Sequence, residues 1–312
     1  MEIVVFSVLN GILYGLLLFM LSSGLTLIFS MMGVLNFAHA SFYMLGAYLA
    51  YAMGMHIGFW PALFLAPVFV GMIGALVERF GLRLVHAGGH VAELLFTFGL
   101  AFMINEIVRL VWGPAPVPYA VPGYMQETLF SLFGTKYSIY RGVVLVVSIL
   151  MLLSIWLLIV RTRVGMMIRA ALTHGAMVGS LGHNVPMLFT GVFAFGCALA
   201  GLAGVIGGPL LNTKPDMADT LGPIVFVVVV VGGMGSLMGA FYASLLIGLT
   251  QTFFVAFNLS FGAMLSAIGL DVDPSGEIAR ITLSSLAPLT PYILLILFMI
   301  FRPRGLKGEL EL

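Results

Sequence analysis

Long apolar runs separated by short polar breaks extend through the whole chain. A helix needs about 20 apolar residues to cross a bilayer, and nine runs approach that length, of which two are short enough to be tilted, broken or only half-crossing. The nine runs lie near 5–30, 41–56 (short), 60–83, 91–112, 141–160, 186–211, 221–234 (short), 236–257 and 289–302. None shows the alternating pattern of an outer-membrane strand. The pattern predicts an all-α polytopic membrane protein with about eight or nine transmembrane helices in one domain, 1–312.

The composition supports this assignment and excludes several functions. Hydrophobic residues make up 61% of the 312 residues and charged residues 8%, against about 25% charged residues in a soluble domain. The net charge of +1 is too small for a nucleic-acid surface, which needs clustered Lys and Arg. No lysine follows a glycine, so the chain lacks a Gly-Lys-Ser/Thr phosphate loop. We expect no enzyme activity, no nucleic-acid partner and no cofactor in this chain.

Basic residues gather in loops on one predicted side of the membrane. Because Lys and Arg are enriched in cytoplasmic loops, this side is predicted to be cytoplasmic, with the C-terminus on it and the N-terminus outside. The basic residues of this side are Arg79, Arg83, Arg161, Arg163, Arg169, Arg302, Arg304 and Lys307. Two longer segments, about 113–140 and 258–288, then face outward. They are either docking surfaces or lids that cover helix ends.

The longest cytoplasmic loop, about 161–184, combines three arginines with many small residues. A short helix that presents small residues can fit into a groove of a partner protein. A basic helix that rests on anionic lipid explains the same composition. Both interpretations stay open.

Two glycine-rich segments interrupt the apolar pattern, near 33–41 and 232–239. Broken helices at membrane depth occur beside protein or a water-filled cavity, and glycine-interrupted segments indicate a transport pathway. Asn36 and His39 add polar groups to the first break, although a histidine that is hydrogen-bonded to a neighbouring helix is the favoured interpretation of His39. Small residues from Gly191 to Gly208 predict close helix packing.

The remaining charged and metal-ligating residues favour structural roles. Glu106 and Arg109 are spaced to pair on a helix. Glu78 lies near a predicted helix end, where a charge can reach the interface. His86 and His90 are spaced with Glu93 like metal ligands, but two intervening glycines argue against a fixed site, and no metal site is predicted.

Three motifs and the closing segment together resemble a known family. They are Gly-Val-Leu-Asn-Phe-Ala-His-Ala-Ser at 33–41, the block from Arg163 to Gly204, Val-Gly-Gly-Met-Gly-Ser-Leu-Met-Gly at 231–239, and Arg-Pro-Arg-Gly-Leu at 302–306. In this order they resemble the permease subunits of branched-chain amino-acid ABC importers, and in particular the first of the two paired permeases. The resemblance covers nearly the whole chain.

The resemblance implies a multi-pass subunit of the bacterial cytoplasmic (inner) membrane that forms half of a translocation path. It implies a second permease, two ATPases that bind ATP and Mg, and a periplasmic or extracellular substrate-binding protein as partners. The implied coupling residues are Arg163, Gly165, Arg169, Ala170, His174, Ala176, Gly179, Ser180, Leu181 and Gly182. The implied residues that line or support the path are Asn36, Phe37, His39, Ser41, Gly232, Gly233, Gly235 and Ser236.

Other functions stay open at this point. The same permease type resembles importers for urea, short amides and aromatic acids. A self-contained secondary transporter or channel would need buried acidic residues at mid-membrane, and none lies between 141 and 211. A purely structural scaffold would not need glycine breaks at depth.

Overall fold

The computed structural model describes residues 2–132, 135–182, 184–257, 259–260, 262 and 282–307, with the side chains of 169 and 172–176 outside this description. Within these residues the chain is almost entirely helical. The helices are α1 (Glu2–Met32), α2 (His39–Ile57), α3 (Phe59–Val77), α4 (Arg83–Val85), α5 (His90–Trp112), α6 (Gly123–Gln126), α7 (Ile139–Arg161), α8 (Arg163–Ser180), α9 (Val185–Leu211), α10 (Met217–Gly232), α11 (Leu237–Ala256), α12 (Leu283–Leu286) and α13 (Thr290–Phe301).

Seven segments of the described chain are long and apolar enough to cross a membrane. They contain α1, α3, α5, α7, α9, α11 and α13, and α3 continues through a π-helical turn at Glu78–Leu82 and a 3-10 turn at His86–Gly88. The helices α2, with 19 residues, and α10, with 16, pack among them. These two are the runs whose length suggested tilted or partial crossings. The prediction of an all-α polytopic membrane protein is confirmed.

Helix α1 lies at the centre of the bundle, packed mainly against α11 and α9, while α2 and α3 pack together against α9. Glycines allow these close contacts. A Cβ on Gly11 of α1 would lie 2.9 Å from Leu249 Cα, and a Cβ on Gly46 of α2 would lie 2.5 Å from Gly201 Cα. The prediction that the small residues of α9 serve helix packing is confirmed from Gly196 to Gly208, since backbones approach here more closely than a side chain allows. It is wrong for Gly191, where a Cβ would meet nothing within 4 Å.

Both predicted breaks are present, and both lie at the same end of the bundle. The chain leaves the helical conformation after Met32, where Gly33 has a φ of 66°, and α2 begins at His39. At the second break Gly233 and Gly235 have φ values of 96° and 86°, a region that favours glycine. The C-terminal segment closes this break, because Lys307 N donates to the Gly232 carbonyl at 3.1 Å.

The segment 113–140, which was predicted to face outward, contains regular structure that the sequence pattern did not predict. Strand β1 (Thr128–Leu132) pairs antiparallel with β2 (Thr135–Ser138), and the rings of Phe130 and Tyr137 stack at 5.2 Å. Tyr119 inserts towards α9 and donates to the Val205 carbonyl at 3.2 Å. The other segment predicted to face outward, 258–288, lies mostly outside the described residues. Its described part includes an antiparallel bridge between Ser260 and Thr282 and the helix α12.

Candidate functional site

A cavity of about 420 Å³ lies between the first break and helices α5, α10 and α13. Four of the residues that the sequence assigned to a path line it, together with aromatic and polar side chains of the helices. Its lining includes Asn36, Phe37, His39, Ser41, Phe98, Ala101, Phe102, Asn105, Asp219, Gly222, Phe226 and Tyr292. The size falls within the range of about 300–1,000 Å³ that small-molecule sites occupy.

The first break is held in place by its own turn and by helix α5. Asn36 Oδ1 accepts a hydrogen bond from Ala38 N at 3.1 Å. Thr97 Oγ1 on α5 accepts from Phe37 N at 3.4 Å and lies 3.4 Å from the Leu35 carbonyl. These bonds satisfy backbone groups that would otherwise lie unpaired in an apolar environment. The break is therefore a fixed irregular segment rather than a loose loop.

Two buried polar atoms beside the cavity have no protein partner among the described residues. His39 Nε2 lies 3.0 Å from the Leu21 carbonyl, so Nε2 carries the proton and Nδ1 is left as an acceptor. His39 Nδ1 and Asn36 Nδ2 are both buried without a hydrogen bond. The interpretation of His39 as a hydrogen-bonded histidine is confirmed for one of its two nitrogens. Unpaired buried polar groups are costly and occur at functional positions.

A short chain of polar side chains crosses the cavity wall. Ser41 Oγ donates to Asn105 Oδ1 at 3.0 Å, and Asn105 Nδ2 donates to Asp219 Oδ1 at 2.9 Å. Ser41 and Asn105 are buried, whereas Asp219 is exposed on the open side. Sequence reasoning missed Asn105 and Asp219. A lone amide in the middle of the apolar run 91–112 was the available signal for Asn105.

Aromatic rings form the apolar wall of the cavity and its mouth. Phe37 stacks on Phe226 at 6.2 Å and meets Phe98 edge-on at 6.4 Å, and Phe98 contacts Phe102 at 4.9 Å. The exposed fractions of Phe37, Phe98 and Phe102 are 48%, 53% and 60%. The cavity therefore opens on one face of the chain, where large apolar side chains need cover from lipid or protein.

The second break does not line this cavity. Gly232 and Gly233 pack beneath the C-terminal segment: Leu306 N donates to the Val231 carbonyl at 2.9 Å. Ser236 caps α11 by accepting from Gly239 N at 3.1 Å. The structure thus brings together at one cavity Asn36, Phe37, His39 and Ser41. The residues of the second break lie where α10 ends and α11 begins: Gly232, Gly233, Gly235 and Ser236.

Helix α8 and the two residues that follow it, Leu181 and Gly182, contain the predicted coupling residues. Thr162 caps it by accepting from Gly165 N at 3.1 Å, and Gly165 itself is buried against the end of α7. Gly182 ends the segment with a φ of 87°. Six of the predicted residues are exposed: Arg163, Ala170, Gly179, Ser180, Leu181 and Gly182. The side chains of Arg169, His174 and Ala176 are not among those that the structure describes.

Buried carboxylates at the same end of the bundle have structural partners. Glu78, which is 2% exposed, accepts from Arg83 Nη2 at 2.9 Å and from Thr190 Oγ1 at 2.6 Å. Glu93 is likewise buried and accepts from His86 and, at 3.3 Å, from His90. Both histidines therefore point at one carboxylate. No group of three metal-ligating side chains arranged to hold an ion is found in the described part of the chain.

The predicted pair of Glu106 and Arg109 is present on the exposed face of α5, where Arg109 Nη1 lies 3.9 Å from Glu106 Oε2. Both side chains are largely exposed, at 63% and 45%. A pair of this kind contributes about 0–1 kcal/mol. Neither residue lines the cavity.

Comparison with known proteins identifies a family that matches most of the chain. The family model described as "Branched-chain amino acid transport system / permease component" matches residues 7–300. The chain is 28% identical to the high-affinity branched-chain amino acid transport system permease protein BraD of Pseudomonas aeruginosa, covering 97% of this chain and 95% of BraD. It is 27% identical to LivH of Escherichia coli, covering 78% of this chain and 83% of LivH. Against LivM of Escherichia coli the identity is 26%, covering 92% of this chain and 66% of LivM.

Proposed function

The chain belongs to the family of permease components of branched-chain amino acid transport systems, and we propose on this premise that it is a permease subunit of an ATP-driven ABC importer. It is a multi-pass protein of the inner membrane, and it forms half of the translocation path for branched-chain or related hydrophobic amino acids. One structural observation carries the proposal most directly: the first break lines a cavity of ligand size that opens on one face of the chain.

The open face of the cavity supports the proposal of half a path. Phe98 and Phe102 on α5 are more than half exposed, and a second permease subunit would cover them and complete the wall. The chain covers 95% of BraD and 83% of LivH, but 66% of LivM. This difference in coverage supports the proposal that the chain is the first of the two paired permeases. Two membrane subunits would then face each other across one path.

The path itself is proposed to run along Asn36, Phe37, His39 and Ser41. The second break is proposed to support the path from the point where α10 ends and α11 begins. It comprises Gly232, Gly233, Gly235 and Ser236. A Cβ on Gly232 would lie 2.5 Å from Ala240 N, so Gly232 lets α10 and α11 pack closely. In this proposal the two breaks have different tasks: one meets the substrate and the other fixes the helices around it.

Helix α8 is proposed as the coupling element that contacts one of two partner ATPases, which bind ATP and Mg. A Cβ on Gly179 would meet no atom of another part of the chain within 4 Å, and Leu181 is 77% exposed. A helix end with small residues and the exposed apolar side chains of Met177 and Leu181 suits a groove in a partner protein. Beneath α8 lies an apolar cavity of about 490 Å³ between α7, α8 and α9, which leaves the helix room to shift.

The orientation in the membrane is proposed from charge. The end of the bundle that carries α8 also carries Arg79, Arg83 and the C-terminal segment 302–307. Because basic residues favour the cytoplasm, this end and the C-terminus are proposed to be cytoplasmic. The hairpin β1–β2 and segment 113–122 then face outward, where a soluble binding protein would deliver substrate.

Uptake into proteoliposomes tests the function. We would reconstitute this chain with its second permease and ATPases, add loaded binding protein outside and ATP inside, and follow radiolabelled leucine. Leucine accumulation that requires ATP is expected. Accumulation that continues without ATP, driven by an imposed ion gradient, would instead indicate a secondary transporter.

A further inference from the structure

Asp219 brings a carboxyl group to the wall of the cavity. It lies in the first turn of α10, where the free backbone N–H groups favour a negative charge. Its neighbour Asp216 is paired with Lys214 Nζ at 3.1 Å. Asp219 itself forms no ion pair with any residue that the structure describes. A carboxylate beside apolar walls is stabilised when a cation joins it.

The side chains behind Asp219 fix its orientation. Asn105 donates its amide hydrogen to Asp219 Oδ1 at 2.9 Å, and Ser41 donates to the amide oxygen at 3.0 Å. The two bonds together determine which way the Asn105 amide faces. Within the described chain no hydrogen bond reaches Asp219 Oδ2. One carboxylate oxygen is therefore held and the other is left for a ligand.

The rest of the cavity suits an apolar group attached to that cation. Phe37 and Phe226 stack at 6.2 Å along one wall. Phe98 and Asn105 both line the cavity, and their seven-residue separation corresponds to about 10 Å along α5. A molecule with a charged amine at one end and a short apolar chain at the other fits this length. Aromatic faces also attract an ammonium group.

We propose that Asp219 Oδ2 accepts hydrogen bonds from the ammonium group of an α-amino acid during transport, while the apolar side chain of the substrate packs against Phe37 and Phe226. Asn105 and Ser41 are positioning residues that hold the carboxylate. The assignment rests on the proposed function and adds a selection step to it: acids and amides that lack a charged amine bind poorly inside the membrane.

The first test replaces Asp219 by Asn in the complete importer, with Asp216→Asn as the matched control. Loss of one charge-assisted hydrogen bond predicts a fall in leucine uptake of about ten- to hundredfold. The ATP hydrolysis that loaded binding protein stimulates is expected to persist, because docking and coupling lie elsewhere. Asp219→Glu, which keeps the charge, is expected to import more than Asp219→Asn, and Asp216→Asn to import normally.

Two results would overturn the assignment. One is leucine uptake by Asp219→Asn at the wild-type rate. The other is loss of the second permease from the purified Asp219→Asn complex, because Asp219 would then be an ion-pair residue of the subunit interface. If the wild-type importer shows no ATP-dependent leucine uptake, the proposed function fails first, so the two failures are distinguishable.

The ammonium group is tested separately, without changing Asp219. Ala101 lines the cavity, and the native Cys197 is buried, so Ala101→Cys supplies an accessible thiol in the complete importer. Leucine is expected to slow its labelling by a methanethiosulfonate reagent, whereas 4-methylpentanoate, which lacks the amine, is not. Equal protection by the two compounds, or no protection by leucine, would contradict the proposal.

Discussion

The contact between α2 and α9 gives the sharpest prediction about what positions the cavity. A Cβ placed on Gly204 of α9 would overlap the carbonyl of Tyr43 on α2 and lie 2.9 Å from Ala47 N. These neighbours are backbone atoms, which cannot rotate away as a side chain can. The two helices must therefore separate to accept Gly204→Ala, and α2 carries His39 and Ser41 at the cavity.

The expected loss of unfolding free energy is obtained by comparison with a matched control on the same helix. Overpacking of this kind costs about 1–3 kcal/mol, while removing a glycine from a helix gains about 0.5–1 kcal/mol. Gly191 is also in α9, but a Cβ there would meet nothing within 4 Å. Both substitutions share the helix gain. The difference between Gly204→Ala and Gly191→Ala therefore isolates the overpacking cost, about 1–3 kcal/mol.

Reversible unfolding in mixed detergent micelles with increasing dodecyl sulfate measures this difference. Gly191→Ala is expected to be as stable as the wild type or slightly more stable, and Gly204→Ala clearly less stable. Leucine uptake by Gly204→Ala is expected to fall as well, because α2 moves. If the two variants unfold at the same free energy, the close approach of α2 and α9 is not what holds the cavity wall.

Four further substitutions test other parts of the chain. Asn36→Leu and His39→Leu are each expected to lower leucine uptake more than the amount of folded protein in the membrane; normal uptake by both would make the first break purely structural. Gly179→Trp is expected to leave the chain folded, since the site has open space, but to separate ATP hydrolysis from transport; coupled uptake at the wild-type ratio would refute the role of α8. Burial raises the pKa of Tyr119, so its stabilising effect is present below about pH 10 and declines above it as the unfolded chain loses the phenol proton first. Tyr119→Phe is expected to make the loss of unfolding free energy between about pH 9 and pH 11 shallower, and an unchanged slope would contradict this.

The sequence predicted the helical architecture because apolar runs and glycines carry that information locally. The breaks at Gly33 and Gly233 were predicted from composition, and both glycines adopt positive φ. The first turn of α10 was missed: its run was predicted to begin near 221, but the helix begins at Met217. Polar residues at a helix start do not look like part of an apolar run, although they satisfy free backbone groups there.

The cavity could not be predicted from local patterns. Ser41, Asn105 and Asp219 come from three separate helices, and only the packing of α2, α5 and α10 joins them into one chain. In the sequence Asp219 lies just before an apolar run, and no local pattern links it to Ser41 or Asn105. The β1–β2 hairpin was also missed, because its short strands follow a segment rich in proline and glycine that reads as a loop.

Purification of the native complex tests the central claim most directly. The chain would be tagged at one terminus, extracted in a mild detergent, and its partners identified and counted by mass spectrometry. If this chain forms half of an importer path, the purified complex is expected to contain one copy of this chain, one copy of the second permease and two ATPases. A chain that elutes alone, or only with copies of itself, would contradict the account and favour a self-contained transporter or channel.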